Sequence, residues 1–482
     1  MSLDFTGPLR EALLAADFTH DAVAELLGPP AHQALARNET TPGLRRTTDG
    51  SPLATLTRLF LLQSTVSRAD ADRALPGLVD RLCNAGLLEQ SVSEVAARLD
   101  CRPYATDEQD LWVVADLTPG LDGSPYRVGA DHVLGVSAAS TSLAQLTIRR
   151  PAGRALDLGT GCGVQALHLA GHCAAVVATD VNRRALWTTR LNAALNQVEV
   201  DVREGSFFDP VAGERFDLIA TNPPFVISPA TGERLVYRDS GLPGDRVVEH
   251  LVRTGPDHLV DHGWLQVLAN WVIQRGTPWE ERLSGWLRPG DDALVVQREV
   301  LDPAAYVELW LKDAGLHGGG DYSRRYDTWL SWFEEQGVEG IGFGWINVRT
   351  AGTGRRELLD WPYEVEQPIA GAVAEWGEAA GAAVDEASRL ITRADVQQET
   401  LGPAGAEDPA TIVLRQQRGL RRARQVDTVE AAFVGACDGE LTVGQLLAAL
   451  ADLLGQDPTL LRSTYLPVVT DLVRQGFLTE PG

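Results

Sequence analysis

Four apolar runs in residues 155–225 each end in a residue able to hold or orient a ligand. The first, Ala155-Leu156-Asp157-Leu158, runs into Gly159-Thr160-Gly161-Cys162-Gly163, and a helical pattern follows from Val164 to Ala170. Glycines let such a turn bend tightly and admit a ligand to the backbone, while the helix N-terminus presents free N–H groups. The second run, Val176-Val177-Ala178-Thr179, ends in Asp180 and then Val181, and Asp180 lies 23 residues after Asp157. A nucleotide-binding βαβ unit places its ribose-binding carboxylate at about that distance. The third begins at Val198-Glu199-Val200 and reaches Glu204-Gly205-Ser206-Phe207-Phe208, an apolar pair able to cover an adenine. The fourth, Phe216-Asp217-Leu218-Ile219-Ala220, enters Thr221-Asn222-Pro223-Pro224-Phe225. Prolines there leave no N–H to compete and stiffen the loop. Ligands of open parallel sheets bind at these carboxyl ends of strands.

With these motifs in this order the sequence resembles the class I S-adenosylmethionine-dependent methyltransferases over roughly residues 125–350. The tetrad Asn222-Pro223-Pro224-Phe225 resembles the signature of the amino-methylating branch, which includes release-factor glutamine, ribosomal RNA guanine and adenine amino methyltransferases. The whole chain is similar to a group of actinobacterial methyltransferases with extra terminal domains. Gly159, Gly161 and Gly163 alternate, as in the methyltransferase turn, whereas dinucleotide enzymes use G-x-G-x-x-G.

The resemblance implies S-adenosyl-L-methionine as cofactor. It would be held by Asp157, Gly159, Thr160, Gly161, Gly163, Asp180, Val181, Ser206, Phe207 and Asn222. Asn222, Pro223, Pro224 and Phe225 are the implied catalytic set. An amide or exocyclic amine is a poor nucleophile because its lone pair is delocalised. In the family the Asn side-chain oxygen and the next backbone carbonyl accept its two N–H bonds and direct the lone pair at the methyl group. Phe225 would stack on the planar substrate. The plain alternative is a rigid Pro-Pro turn with Phe225 in the core. The implied fold class is α/β. It is a doubly wound sheet, mostly parallel with its last strand antiparallel, with helical, winged-helix-like N- and C-terminal domains.

The elements that must position these residues sit in a chain of 482 residues, too long for one core. Residues 1–122 read as a helical, winged-helix-like domain, since helix, Gly86 stop and β-like runs at 92–99 and 111–116 follow one another. Residues 123–350 read as the methyltransferase core, with later strands at 263–271, 292–298 and 341–348. Between the last two lies an aromatic insertion carrying Tyr306, Trp310, Trp329 and Phe333. Residues 351–426 read as an extension packed on the core. Residues 427–482 repeat the helix-then-glycine pattern, with a helix at 443–454 and Gly476. Two segments admit two readings each. Ser140 and Thr141 either contact cofactor or cap a helix, and the segment 237–246 either touches substrate or caps the helix beginning near Asp245.

Composition narrows the partners. The basic residues are 41 Arg and Lys312 alone, and net charge is −24. Residues 1–125 carry 10 Arg against 18 acids, and residues 425–482 carry 2 against 8. Tight duplex DNA binding, which wants a basic face, is not expected. The one basic run, 415–424, holds five Arg in ten residues. It reads either as an RNA phosphate contact or as a solvated helix or strand edge. Cys83, Cys101, Cys162, Cys173 and Cys437 form no C-x-x-C, so neither disulfides nor a metal is expected, and Cys162 reads as a packing residue. No apolar run reaches membrane-spanning length, and a cytoplasmic location is expected. A protein amide and an RNA base are the leading substrates. A small-molecule amine and a cofactor-sensing role remain alternatives, and the oligomeric state is open.

Overall fold

The computed structural model describes residues 3–106, 109–123, 129, 131–229, 242–404 and 409–481. The chain divides into two compact units, one of Met1–Ala144, Arg150–Trp286 and Glu299–Ile346, the other of Gln145–Arg149, Leu287–Arg298 and Asn347–Gly482.

The first unit is built on parallel strands. They are β1 (Ala152–Leu158), β2 (Cys173–Asp180), β3 (Asp201–Glu204), β4 (Phe216–Thr221) and β5 (Leu259–Gln274). Helices α1 (Val164–Ala170), α2 (Arg183–Leu195) and α3 (Arg246–Thr254) run between them. The strand order is β5-β4-β1-β2-β3, and each neighbouring pair is parallel. Parallel neighbours need crossovers, and helices covering both faces explain why β1 and β2 read as near-continuous apolar runs. Ala155, Leu156, Val176, Val177 and Ala178 are all buried. The register pairs Leu158 with both Thr179 and Thr221, so the carboxyl ends of β1, β2 and β4 lie level. Strand β3 starts at Asp201, not at Val198 as the apolar spacing suggested. It is a short edge strand with no fully buried residue, and alternation gives little signal there.

Residues 1–122 do not end at a core of their own. Their apolar cluster, with Phe18, Phe60 and Trp112 at its centre, continues onto Leu191 and Leu195 of α2. Two buried asparagines one turn apart seal the join. Asn192 pairs through Oδ1 and Nδ2 with the N–H and C=O of Val114, and Asn196 does the same for Trp112. These amides complete the open edge of strand Asp110–Asp116, whose backbone groups would otherwise be unmatched. Within this part, helices Arg68–Ala74 and Val79–Asn84 precede strands Leu88–Gln90 and Glu94–Ala97. The pair of strands joins Val66–Ser67 in a three-stranded antiparallel sheet.

Strand β6 (Asp292–Leu301) belongs to the second unit through Arg298, and β7 (Val338–Arg349), which belongs to the first through Ile346, lies beside β5. The aromatic insertion is two helices, Pro303–Asp313 and Tyr322–Glu335. Tyr306, Trp310, Trp329 and Phe333 are buried in one cluster with Val226 and Ile227, so these rings are core.

In the second unit, strand β8 (Arg356–Asp360) pairs in parallel with β6. Strand Arg389–Thr392 lies between Asp438–Thr442 and Leu478–Thr479 in an antiparallel sheet. Residues 351–426 and 427–482, expected as an extension and a separate domain, therefore share one core, in which Leu390 and Leu414 pack with Phe433, Leu447, Leu472 and Phe477. The reason is topological, because the central strand of that sheet comes from the earlier segment.

Candidate active site at the strand ends

The glycine turn after β1 is held by its neighbours. Asp180 accepts the Gly161 N–H at 3.0 Å through Oδ2 and the Asn182 N–H at 2.8 Å through Oδ1. Thr189, on α2, donates to the Gly161 carbonyl at 3.1 Å. All three glycines have positive φ, but they serve different ends. A side chain at Gly159 or Gly161 would meet nothing within 4 Å, whereas one at Gly163 would lie 3.2 Å from the Thr189 Cα. Gly159 and Gly161 thus leave space over the turn, and Gly163 lets α1 and α2 close on each other.

Asp157 lies beneath the turn and is buried. Its Oδ2 accepts from Thr160 Oγ1 at 2.6 Å and from the Ala166 N–H at 3.0 Å. Thr160 is buried too, so its hydroxyl orients Asp157 rather than reaching outward. Burial pushes the Asp157 carboxyl up from the usual 3.8 to about 7, against the pull of those two bonds. Between these values the folded chain holds a proton that the unfolded chain has released. This contribution to stability is full below about pH 4 and is lost as pH rises toward 7, at up to about 1.4 kcal/mol per pH unit. Asp157→Asn keeps an acceptor for both bonds. Its unfolding free energy, measured by denaturant titration from pH 4 to pH 8, should fall less steeply with pH than that of the wild type.

Asp180 is half-buried, and burial raises its pKa, opposed by the backbone N–H groups it accepts. Val181 beside it is an exposed apolar side chain, 65% accessible. Beyond β3, Gly205 leaves no room for a side chain, which would lie 2.4 Å from Pro210. Ser206 is exposed. Phe207 sits at φ 45°, in the left-handed region that a bulky residue rarely adopts, with its ring edge-on to His250 at 4.8 Å. Phe208 turns inward and stacks on His258 at 4.5 Å. The two neighbouring rings thus point to different places, and only Phe207 is left half-exposed.

Asn222 follows directly on the Leu158–Thr221 register pair, across from Gly159. Its Oδ1 is sealed from solvent and has no hydrogen-bond partner among the described residues. Several buried polar atoms share that condition, but this one stands at the end of β4, beside the glycine turn. Pro223 is buried and Pro224 exposed. Phe225 is half-buried and meets Trp310 edge-on at 6.2 Å.

The loop is fixed by a residue that stands in the sequence only as one ring of the aromatic insertion. The hydroxyl of fully buried Tyr306 accepts the Ile227 N–H at 2.9 Å. Tyr306→Phe would leave that buried N–H unmatched, and a loss of about 1–3 kcal/mol in unfolding free energy is expected, measurable by denaturant titration.

The two segments with open readings resolve differently. Ser137, just before helix Ala138–Leu146, accepts the Ser140 N–H through its hydroxyl, and Ser140 Oγ accepts the Ser137 N–H in return, so Ser137 is the cap and Ser140 its reciprocal partner. Residues 230–241 of the segment after the Pro-Pro loop lie outside the described residues. Asp245 neither caps nor faces outward. It is buried and takes a bidentate pair from Arg282 at 2.6 and 2.7 Å. Cys162 is buried and its thiol is pushed up to about 12 by burial, as a packing residue would be. Among the described residues no cluster of three or more His, Cys, Asp or Glu could hold a metal, and no helix is long and apolar enough to cross a membrane.

Residues 135–286, which contain every feature just described from Gly159 to Asn222, match the family model of the methyltransferase small domain. That stretch, about a third of the chain, is thus similar to the methyltransferase small domain. Residues 15–98 and 373–480 each match a model described only as a domain of unknown function. The chain is similar to a release factor glutamine methyltransferase of Xylella fastidiosa, 36% identical over 131 residues, which are 24% of this chain and 47% of the relative. It is also similar to a ribosomal RNA small subunit methyltransferase C of Erwinia tasmaniensis, 32% identical over 178 residues, 36% of this chain and 46% of that one. The chain thus spans about half the length of the curated relatives it matches. A solved 16S rRNA N2 G1207 methyltransferase of T. thermophilus, in complex with AdoMet and guanosine, aligns at 16% identity and TM-score 0.27 over 51% of this chain and 66% of that one. The fold assignment rests on the strand order and not on that superposition.

Proposed function

We propose that this chain is an S-adenosyl-L-methionine-dependent N-methyltransferase acting on a planar nitrogen, an amide or an exocyclic amine, of a macromolecule. The observation that carries the reading is the buried Oδ1 of Asn222 at the end of β4, which has no hydrogen-bond partner among the described residues. An acceptor held away from water without a partner is costly, and a substrate N–H would satisfy it. The second N–H would go to the Pro223 carbonyl. Phe225, held edge-on by Trp310, is the ring beside which a planar group would lie.

The residues present fit the cofactor. The open side of Gly159 and Gly161 accommodates its amino-acid end. Each Asp180 oxygen takes one backbone N–H and keeps lone-pair capacity for a ribose hydroxyl. Val181 and Phe207 supply apolar surface at the adjoining strand ends. When bound, the cofactor supplies an electrophilic methyl group. The protein's part is to position the nitrogen and to shield it from water.

Substrate class is read from the relatives, whose names give a release factor, and a ribosomal RNA, as targets. Incubating cell lysate with cofactor labelled in the methyl group, then digesting with nuclease or protease, tests this. Loss of macromolecular label to one treatment names the substrate class. Label confined to small molecules would contradict a macromolecular substrate, and no label at all would contradict the enzyme. Residues 1–122 and 427–482 are read as winged-helix-like modules that bind protein or support the core. Their net charges of −8 and −6 argue against a duplex-binding role. A fluorescent 20-mer DNA duplex should show no sub-micromolar, salt-dependent binding to the full chain.

A further inference from the structure

We propose that the second unit carries a separate binding site for a phosphate group, formed by arginines 393, 418, 422 and 474. These four side chains line one cavity, with Trp376 and Leu420 among its walls and Glu375 as its one acidic lining residue. The lining therefore carries a charge of +3, in a chain whose net charge is −24.

The four cations differ in how far they are neutralised. Arg422 is nearly buried and bonds to Glu357, which also takes Arg355 and the Trp376 indole N–H at 2.6 Å. Arg393 is shared between Glu375 at 2.8 Å and Asp395 at 3.0 Å. Arg474 is exposed and donates to the Ala382 carbonyl, with no carboxylate partner among the described residues. Arg418 is exposed, and its guanidinium has no partner among the described residues.

The basic run 415–424 explains this division. Four of its five arginines are committed to acids, Arg415 to Glu399, Arg421 to Glu364, Arg422 to Glu357, and Arg424 to Glu430 and Asp471. The run is thus a paired hairpin edge rather than a continuous basic stripe, and Arg418 is its exception.

The backbone around Arg418 is fixed. Its own N–H goes to Asp395 at 3.1 Å, and Gly419 exchanges bonds with Glu366 through both backbone groups. A guanidinium on an anchored turn loses less freedom on binding than one on a loose chain. Two arginines without carboxylates among the described residues, next to Arg422, whose partner Glu357 is outside the lining, and Arg393, which shares the lining with Glu375, suit an oxyanion able to take several N–H donors at once. Phosphate has that geometry, and Arg forks match it. The source is a free phosphorylated nucleotide or a nucleic-acid strand. The site lies wholly within the second unit and stands independently of the methyl-transfer reading.

The test uses the full chain and calorimetric titration with inorganic phosphate, uridine 5′-phosphate, a uridylate decamer, uridine and a poly-glutamate peptide. Binding is expected for the phosphate-bearing probes and not for uridine. Arg418→Gln and Arg474→Gln should each weaken it about tenfold, the worth of one charged hydrogen bond. Arg275→Gln, a surface change in the first unit, should leave it unchanged. A decamer that binds much more tightly than the mononucleotide, with a log–log salt slope near −1.4 that drops by about 0.7 in each variant, would identify a strand. Equal affinity would identify a free nucleotide. The proposal is overturned if no phosphate-bearing probe binds, if both variants bind as wild type, or if the acidic peptide binds and phosphate does not.

Discussion

Asn222→Ala should bind S-adenosyl-L-methionine as the wild type does and lose roughly 10²-fold or more of its methyl-transfer rate. The side chain's Oδ1 accepts no hydrogen bond from any described residue. Its removal therefore deletes a buried acceptor that no described residue satisfies. Stability should stay level or rise slightly, since an unmatched buried polar group costs the folded state about 1–3 kcal/mol. That pairing of outcomes separates the two readings of the Pro-Pro loop. Were the loop only a structural turn, the same change would leave the rate near wild type. Rates are to be taken at saturating cofactor on the substrate that labelling identifies, with stability by denaturant titration alongside.

Asp180→Ala should act on the other half of the reaction. Its carboxylate is the expected holder of the two ribose hydroxyls, and charge-assisted bonds are worth about 1.5 kcal/mol each. Cofactor affinity should fall by about 2–3 kcal/mol. The structure adds a second route to the same loss, because Asp180 also fixes the Gly161 N–H and so the shape of the turn. Asp180→Asn retains an acceptor for that N–H and should lose less. Calorimetry with the cofactor alone reads both variants without knowledge of the substrate. Unchanged affinity in Asp180→Ala would remove this residue from the cofactor site.

Much of the site could be read from residue order because the signals are local. Strand, glycine turn and helix follow one another within residues 152–170, and the boundaries of α1 fall where the apolar spacing put them. The acid ending β2 and the amide ending β4 come together because parallel strands bring their carboxyl ends level, which the βαβ pattern alone dictates.

What escaped the sequence depends on contacts between distant segments. Thr189 looks like any helix threonine until α2 is laid against the turn, where it holds Gly161 and crowds Gly163. Asn192 and Asn196 look like surface polar residues, yet both are buried and complete a strand edge some 80 residues earlier. Tyr306 was visible only as one ring among many, although its hydroxyl is what pins the backbone after Phe225. The core shared by residues 351–426 and 427–482 escaped for a related reason. No periodicity reveals that Arg389–Thr392 will be the middle strand of a sheet whose edges come 46 and 86 residues later.

The central claim is that methyl transfer occurs to a planar nitrogen held by Asn222. The most direct test is to isolate the labelled product from wild-type reactions and locate the methyl group by tandem mass spectrometry. The account predicts the label on an amide or exocyclic amine nitrogen. A methyl group on oxygen, sulfur or carbon would contradict it.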